Sequence, residues 1–289
     1  MTRDLSRLGL GTVQFGQAYG ISNARGRVPA QDVAAILRQA AAAGLRTLDT
    51  AAGYGDAEDV IGGLAALTQP FRIVTKTIAL KNGLDAVVAR ARQSVKTLGR
   101  KPVDFLLVHS AADLMGNGGG ELWKALLGLR DEGLFGGIGI SAYVADDPVM
   151  LARKFRPDAM QVPLSLLDQR LIQSGALAAI KDQGVEIHAR SLFLQGLLFL
   201  PEGKLPPKLA SAASHLKRLR ERFLEAGTAP LAAALAFALD RPEIDVAVIG
   251  VTTPGEFEEI VQATAQPSPT LDWPSCALND ELVLTPSRW

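Results

Sequence analysis

The stretch FRIVTKTIALKNGLDAVVARARQSVKTLGRKPVDFLLVH, residues 71–109, decides the fold. It reads as a strand (71–76), a helix (82–99) and a second strand (103–109). The helix carries one apolar stripe at steps of three and four residues. Both strands are apolar nearly throughout, which is typical of parallel strands buried on both faces. The stretch therefore predicts two parallel strands joined by a helix.

The same alternation extends along the rest of the chain. Runs rich in Val, Ile and Leu predict eight strands, at 8–12, 46–50, 71–76, 103–109, 136–141, 159–163, 185–191 and 245–250. Helical spacing predicts helices at 30–44, 82–99, 118–132, 146–156, 168–183, 228–240 and 253–265. Gly44 is the expected stop of the first helix, and Asp168 and Thr228 are expected N-caps.

Strands that alternate with helices predict an α/β protein with a (β/α)8 TIM barrel, a single domain over residues 1–289. The alternative is an open doubly wound sheet. A nucleotide-binding sheet of that kind usually opens with G-x-G-x-x-G, but Gln14 stands where the third glycine is needed. The barrel is therefore favoured.

Two regions depart from a plain barrel. The connection 191–244 is long and predicts an extra helix, about 207–226, after the seventh strand. The tail after residue 266 is rich in proline and has one short helical pattern near 278–284. We expect this C-terminal extension to pack on the outside of the barrel or near its mouth.

Composition excludes several classes of protein. The 289 residues contain 30 basic and 30 acidic side chains, so a polyanionic partner such as nucleic acid is not expected. Cys276 is the only cysteine, which excludes an intrachain disulfide and a cysteine cluster for a metal. The N-terminus lacks the apolar run of a signal peptide, and the longest apolar runs are too short to span a bilayer. These features predict a soluble cytoplasmic protein with no metal site and no membrane partner.

Four polar side chains follow three consecutive predicted strands. Asp49 ends the second strand, Lys76 the third and His109 the fourth, while Tyr54 follows Asp49 by one short loop. Active sites of such barrels lie at the C-terminal ends of the strands, so we expect these four side chains to converge. Taken alone, each has a structural explanation: an N-cap, a surface aromatic, a solvated lysine and a packed histidine.

Together the four side chains can form a site that donates a proton to a carbonyl group during its reduction. The Tyr54 hydroxyl has the proton, and a neighbouring Lys76 ammonium would lower its pKa from about 10. Asp49 would hold Lys76 charged and oriented, and His109 would donate a hydrogen bond to the substrate oxygen. His188 and His215 lack such neighbours and are expected to be structural.

At this point the chain resembles the aldo-keto reductases, a family of nicotinamide-dependent barrel oxidoreductases. The shared segments are LGLGTVQFG, LDTAAGYGDAEDVIG, VTK, VDFLLVHS, GGIGIS, MQVPLSLLD, ARSLFLQGLL and VIGVTTPGEFEEI, which together extend over nearly the whole chain. The opening TVQFGQAYGISN is similar to that of a bacterial subgroup.

The resemblance implies a function and its residues. It implies NADPH or NADH bound across the barrel mouth, and a catalytic tetrad of Asp49, Tyr54, Lys76 and His109. Implied cofactor contacts are Thr12, Asp49, Ser141, Gln161, Arg190, Ser191, Phe193, Gln195, Gly196, Gly250, Thr252 and Thr253. Substrate contacts are expected from Tyr54, His109, Phe15, Tyr19, Tyr143 and Leu192.

Three positions depart from the family pattern. Ala142 replaces an asparagine that commonly binds the nicotinamide carboxamide, and Arg190 stands where an aromatic ring usually stacks under the nicotinamide. Arg190 is therefore expected to bind either an anionic substrate or the cofactor pyrophosphate. The turn after the eighth strand has Glu256 and no basic residue to pair with the 2′-phosphate of NADPH. We therefore expect NAD(H) to bind as well as or better than NADP(H), or both to bind weakly.

The predicted function is NAD(P)H-dependent reduction of a small aldehyde or ketone, with Tyr54 as general acid. Two alternatives remain open on the same fold. One is a lyase or aldolase that uses Lys76 as a Schiff-base nucleophile. The other is a cofactor-binding sensor with little turnover, because fold does not fix function.

Overall fold

The computed structural model describes residues 3–201 and 203–289. Its centre is a closed barrel in which each strand pairs in parallel with the next and the last pairs with the first. The strands are β1 (Leu8–Gly11), β2 (Thr47–Asp49), β3 (Arg72–Lys76), β4 (Val103–Val108), β5 (Phe135–Ser141), β6 (Ala159–Pro163), β7 (Glu186–Arg190) and β8 (Val246–Gly250). The barrel is confirmed, and each strand lies within two residues of its predicted bounds. The open sheet is excluded because β1 and β8 are hydrogen-bonded neighbours.

Helices surround the strands in the order that alternation predicts. The α-helices are α1 (Val13–Gly16), α2 (Ala30–Ala42), α3 (Ala57–Gly63), α4 (Ala65–Thr68), α5 (Leu84–Thr97), α6 (Ala112–Met115), α7 (Gly119–Asp131), α8 (Pro148–Phe155), α9 (Arg170–Gln173), α10 (Ala176–Lys181), α11 (Ala213–Glu225), α12 (Pro230–Leu239) and α13 (Pro254–Thr264). Short 3-10 helices cover Leu5–Arg7, Leu80–Asn82, Val144–Asp146, Leu194–Phe199, Pro207–Ala212, Trp273–Cys276 and Pro286–Arg288. The extra helix predicted after the seventh strand is the 3-10 turn Pro207–Ala212 followed by α11.

Several local predictions were wrong for identifiable reasons. The helix predicted over 168–183 is broken into α9 and α10, because Gly175 adopts a positive φ of 73° between them. Asp168 does not cap it and instead forms an ion pair with Arg170 at 2.8 Å. Thr228 does not cap α12, whose N-cap residue is Ala229.

The connection between β2 and β3 was also missed. It contains the short helices α3 and α4, which meet at Leu64 and are too brief to show a full apolar period. The helical pattern near 278–284 is a turn, in which Asp280 accepts hydrogen bonds from the backbone of Leu282 and Val283.

The C-terminal tail packs against the loop after β6. The Leu278 N–H donates to the Leu167 carbonyl, and the Gln169 side-chain amide donates to the Trp273 carbonyl. Among the described residues no single helix is long and apolar enough to cross a membrane. The helical segments Pro207–Glu225 and Pro230–Leu239 are together long and apolar enough to cross a membrane, but they meet at an angle of 89°.

The barrel strands present one face to the outer helices and one face to the interior. The main core lies between strands and helices, where Leu48, Leu106 and Ile140 are fully buried. A smaller cluster of Val74, Leu107 and Ala159 fills the interior. Val74 precedes Lys76 by two residues and so shares its face, which places the Lys76 side chain inside the barrel, above this cluster.

Candidate active site

The Lys76 amine lies at the centre of the predicted tetrad. Its Nζ is 2.8 Å from each carboxylate oxygen of Asp49, 2.9 Å from the Thr50 carbonyl and 3.3 Å from the Tyr54 hydroxyl. Asp49 and Lys76 are 4% and 1% exposed, so this ion pair is inside the protein. The ends of β2 and β3 and the loop after β2 therefore bring three of the four side chains into direct contact.

The environment keeps Lys76 charged. Burial alone would lower the pKa of the amine, but the charge of Asp49 and the hydroxyl of Tyr54 outweigh it and raise the pKa above its ordinary value. The ammonium also lies 4.9 Å from the centre of the Tyr54 ring. A cation fixed in this position stabilises negative charge on the Tyr54 oxygen.

His109 completes the group from the end of β4. Its ring meets that of Tyr54 edge to face, with centroids 5.8 Å apart at an angle of 81°. Burial first, and then the charge of Lys76, lower the pKa of His109 to about 4. The ring is therefore neutral at pH 7 and has one N–H to donate.

Two residues predicted as cofactor contacts, Gln161 and Thr12, form hydrogen bonds to Asp49, and a third, Ser141, lies next to Gln161 on the barrel rim. The Gln161 side-chain nitrogen donates to Asp49 Oδ1 at 2.7 Å, and the Thr12 hydroxyl donates to the Asp49 carbonyl at 3.0 Å. Ser141 is buried at the end of β5 and pairs in register with Gln161. Gln161 thus supports the charged pair directly, a contact that the sequence did not predict.

The loop that carries Tyr54 is held by close backbone contacts. A Cβ added to Gly16 would lie 1.8 Å from the Tyr54 carbonyl oxygen and 2.5 Å from the Ala57 nitrogen. On the other side Gly55 adopts a φ of 54°, and a Cβ there would lie 2.5 Å from the Gly16 oxygen. Only glycine fits both positions, so β1 and its loop determine where Tyr54 sits.

A buried polar network anchors the same loop from behind. Glu58 is 1% exposed and accepts hydrogen bonds from Thr75 at 2.6 Å, Ser94 at 3.0 Å and Arg90 at 2.6 Å. Arg90 also reaches the Ala52 carbonyl at 3.4 Å. These residues lie on four separate segments of the chain, and no local pattern in the sequence predicts their contact.

A cleft of about 510 Å³ opens between the segments that follow β1, β7 and β8. It is lined by several predicted cofactor contacts, namely Ser191, Phe193, Gln195, Gly196, Gly250 and Thr252. It is also lined by residues that sequence reasoning missed, namely Gln14, Ser22, Asn23 and Glu259. The buried Gln14 Oε1 has no hydrogen-bond partner, and a Cβ on Gly250 would lie 2.9 Å from Gln14 Nε2. Gly250 therefore leaves room for an amide whose acceptor is free for a ligand.

The loop after β7 is constrained where it borders the cleft. Ser191, Leu194 and Gln195 have positive φ values of 63°, 45° and 53°, which non-glycine residues rarely adopt. The backbone N–H of Ser22 donates to the Gln195 carbonyl at 3.4 Å, and Gly196 leaves space for the Ser22 side chain. Such strain is typical of ligand-binding loops.

The first turn of α13 is already occupied by a carboxylate. Glu256 accepts from the Thr252 N–H at 2.6 Å and from the Thr252 hydroxyl at 3.0 Å. Thr253 is the N-cap of the helix and accepts from the Glu256 N–H at 3.0 Å. An incoming phosphate at this helix terminus would meet the negative charge of Glu256.

The residues expected to contact substrate divide into three groups. Phe15 was predicted wrongly, because it is fully buried in the core and offers no surface to a ligand. Tyr19 and Leu192 line the cleft. Tyr143 lies under Arg190, whose guanidinium carbon is 4.2 Å from the centre of the Tyr143 ring.

Comparison with known proteins identifies the family. Residues 7–277 match the model of the Aldo/keto reductase family. The chain belongs to the aldo/keto reductase family. This aldo/keto reductase is 26% identical over 280 residues to L-galactose dehydrogenase of Arabidopsis thaliana, which covers 91% of this chain and 85% of the relative. An aldo-keto reductase of Mycobacterium sp. (strain KMS) is 32% identical over 120 residues, or 40% and 43% of the two chains.

The fold agrees with that of solved relatives. An aldo-keto reductase from Bacillus halodurans, solved in its holo form, has a TM-score of 0.71 and 20% identity, and covers 91% of this chain and 87% of its own. Family membership identifies an oxidoreductase. In the part of the chain that the structure describes, no group of three or more His, Cys, Asp and Glu side chains could hold a metal ion.

Proposed function

We propose that this aldo/keto reductase reduces a small aldehyde or ketone to an alcohol, with Tyr54 as the general acid. The observation that carries the proposal is the 3.3 Å contact between the Tyr54 hydroxyl and the Lys76 amine. Lys76 is held as a cation by Asp49, so the phenolate that remains after proton transfer is stabilised by a charge already in place.

The proton and the hydride have separate sources. A bound reduced nicotinamide would supply the hydride that adds to the carbonyl carbon. Tyr54 gives its proton to the carbonyl oxygen, and solvent then restores the phenol. Neutral His109 donates its N–H to the same oxygen and holds the carbonyl in position, which is the task of a polar group in a hydride-transfer site.

The cleft fits an extended dinucleotide in its lining and its polarity. Gln14 offers a free buried acceptor, and the constrained loop from Ser191 to Gly196 presents backbone groups. Gly196 and Gly250 leave room for the Ser22 and Gln14 side chains that line the cleft. We propose that these residues, with Ser141 and Gln161 on the rim, hold NADH or NADPH.

NADH is the preferred cofactor in this proposal. Two carboxylates, Glu256 and Glu259, line the cleft, and no lysine or arginine is among its lining residues. Glu256 also accepts a hydrogen bond from the backbone N–H of Thr252 at the helix terminus, so this donor is not available to a phosphate. A ribose hydroxyl can donate to such a carboxylate, whereas a 2′-phosphate would be repelled by it.

The geometry disfavours a Schiff-base lyase. A nucleophilic amine must lose its proton, but the pKa of Lys76 is raised because the charge of Asp49 and the hydroxyl of Tyr54 outweigh the effect of burial. Its Nζ is also surrounded by four oxygen atoms within 3.3 Å. Attack on a carbonyl would require breaking a buried ion pair.

The direct test combines turnover with cofactor binding. Oxidation of NADH and NADPH is followed with a panel of aldehydes, ketones and sugars. Because of the Arabidopsis relative, L-galactose is tested in the oxidative direction by following the reduction of NAD⁺ and NADP⁺. Tyr54→Phe should lower kcat at least 100-fold, within the usual contribution of a general acid, while the affinity for NADH stays within about twofold. Unchanged turnover in Tyr54→Phe would refute the proposed acid. Firm cofactor binding without turnover on any carbonyl would favour the sensor.

A further inference from the structure

Arg190 is a cation held in a fixed position at the end of β7. Its guanidinium stacks on the Tyr143 ring with 4.2 Å between the guanidinium carbon and the ring centroid. One terminal nitrogen donates to the Ala142 carbonyl at 3.3 Å, and the other lies 3.5 Å from the Ser191 hydroxyl. Stacking and these contacts set the plane of the group, which is half-buried.

No carboxylate of residues 3–201 and 203–289 forms an ion pair with Arg190. Arginine has five N–H donors, and the two long contacts to Ala142 and Ser191 leave most of them free. A half-buried cation that has free donors and no counter-charge can pair with an anionic ligand.

Arg190 ends β7 on the same rim of the barrel as Asp49 at the end of β2 and Lys76 at the end of β3. Its charge acts on His109, where it adds to the effects of burial and Lys76 in lowering the pKa of the imidazole. It also acts on Tyr19. Partial burial, and then the phenols of Tyr54 and Tyr143, raise the pKa of Tyr19, and the charge of Arg190 offsets part of this increase. The cation therefore lies within electrostatic range of the residues that would receive the carbonyl.

The cofactor-sized cleft does not use Arg190. Ser191 and the residues that follow it line the cleft, but Arg190 leans the other way, over Tyr143 and toward the end of β5. The nearer of its two contacts, at 3.3 Å, is to the Ala142 carbonyl after β5, and only the 3.5 Å contact to Ser191 reaches the loop expected to bind the pyrophosphate. Arg190 therefore has donors left for a ligand other than the dinucleotide.

The charges around the mouth limit the ligand to one negative charge. Lys76 is neutralised by Asp49, and His109 is neutral at pH 7 because its pKa is about 4. Arg190 alone remains uncompensated among these groups, and one guanidinium matches one carboxylate in charge and in its planar, two-point geometry. A phosphate dianion would need a second cation.

We propose that the substrate is an oxo acid, a carbonyl compound whose carboxylate pairs with Arg190 while its carbonyl faces Tyr54 and His109. This inference rests on the proposed reductase function and deepens it. Arg190 acts in binding, and Tyr54 performs the proton transfer. The preference for the acid should therefore appear mainly in KM.

Matched substrates test the pairing. Glyoxylate, pyruvate and 4-oxobutanoate are compared with acetaldehyde, acetone and butanal, which have the same number of carbons. For the best pair, kcat/KM for the acid should exceed that for the neutral compound by about 10- to 100-fold, the size of a charged hydrogen bond. Arg190→Gln should abolish this ratio and Arg190→Lys should keep part of it. Arg153→Gln, exposed on α8, should leave the ratio unchanged.

Calorimetric titration with butanoate, a monocarboxylate, decides the question even if none of these carbonyls is turned over. Butanoate should bind the wild type and the Tyr54→Phe variant and should not bind Arg190→Gln. The proposal is overturned if butanoate binds Arg190→Gln as well as the wild type, if it binds neither, or if glyceraldehyde 3-phosphate shows a larger advantage over glyceraldehyde than any acid shows over its neutral partner. Full turnover in Tyr54→Phe would instead refute the proposed acid and leave the Arg190 result standing.

Discussion

Gln161 and Lys76 share one oxygen of Asp49. The Gln161 amide donates to Asp49 Oδ1 at 2.7 Å, and the Lys76 amine donates to the same atom at 2.8 Å. A residue of β6 thus fixes the carboxylate that orients an amine from β3. The position of the proton donor depends in this way on strands from opposite sides of the barrel.

Loss of the Gln161 amide should loosen this arrangement. Gln161→Met keeps the volume but leaves a buried Asp49 oxygen with one donor fewer, so we expect a loss of about 1–3 kcal/mol in the free energy of unfolding. Turnover should also fall, because Lys76 is less precisely held. Urea unfolding and kcat are compared with Gln93→Met, an exposed glutamine on α5 that should change neither.

Breaking the buried ion pair should be costly, and removing both charges less so. Lys76→Met leaves an unpaired carboxylate at Asp49 and should lower the free energy of unfolding by about 3–5 kcal/mol. The double variant Asp49→Asn/Lys76→Met should lose less than the single one. Equal losses in urea unfolding would mean that Asp49 does not depend on Lys76 for its charge balance.

Acid should destabilise the protein through His109. Because its folded pKa is about 4 and lies below the ordinary value of 6.5, the unfolded chain binds more protons between these pH values. This contribution to stability is complete above pH 6.5 and is lost as pH falls toward 4. Between pH 7 and pH 5 the loss is about 2 kcal/mol.

Comparison with His109→Gln isolates this effect. The variant should show a pH dependence of the unfolding free energy about 2 kcal/mol smaller over the same interval. Glu186 titrates below this window: burial opposes its charge, but His188 and Arg72 lower its pKa to about 2. If the unfolding free energy of the wild type and of the variant changed equally with pH, the depressed pKa of His109 would be contradicted.

Gly16→Ala should displace the loop of Tyr54. The added methyl group would lie 1.8 Å from the Tyr54 carbonyl, so the loop must move and kcat should fall at least tenfold, with a lower Tm. Gly128→Ala on α7 has no atom within 4 Å of its new methyl and should be neutral or slightly stabilising. If both variants behave alike, the contact between the two loops does not position the acid.

Glu256 should control the choice of cofactor. Glu256→Arg removes the carboxylate that holds Thr252 and adds a cation near the terminus of α13, so NADPH affinity should rise relative to NADH by about tenfold or more. Fluorescence titration with both cofactors measures the ratio. Glu258→Arg on the same helix, whose carboxylate contacts Gln39, is the matched control and should leave the ratio near that of the wild type.

Sequence predicts the strands well because their signal is local. Each strand is a short run of residues buried on both faces, so apolar character alone locates β3, β4 and β6 to within a residue. The order of the strands around the barrel follows from their alternation with helices along the chain. Helix interruptions are harder, since the break at Gly175 depends on one φ value within an otherwise helical pattern.

The candidate site was predictable only in part. Asp49, Lys76 and His109 were found because each ends a strand, and the carboxyl ends of parallel strands share a rim. The contacts of Gln14 with Gly250 and of Glu58 with Arg90 join distant segments, and no periodic pattern records them. Phe15 was misassigned because its position after β1 predicts the rim, whereas its ring turns into the core.

The close fit of Gly16 and Gly55 has a consequence for how new selectivities can arise. It fastens the Tyr54 loop to the segment after β1, whereas Arg190 and Tyr143 lie at the ends of β7 and β5. The side chains at positions 143 and 190 can therefore be exchanged while the Tyr54 loop keeps its place. An engineer who varies these two positions would redirect the molecule toward other compounds and inherit an intact proton donor.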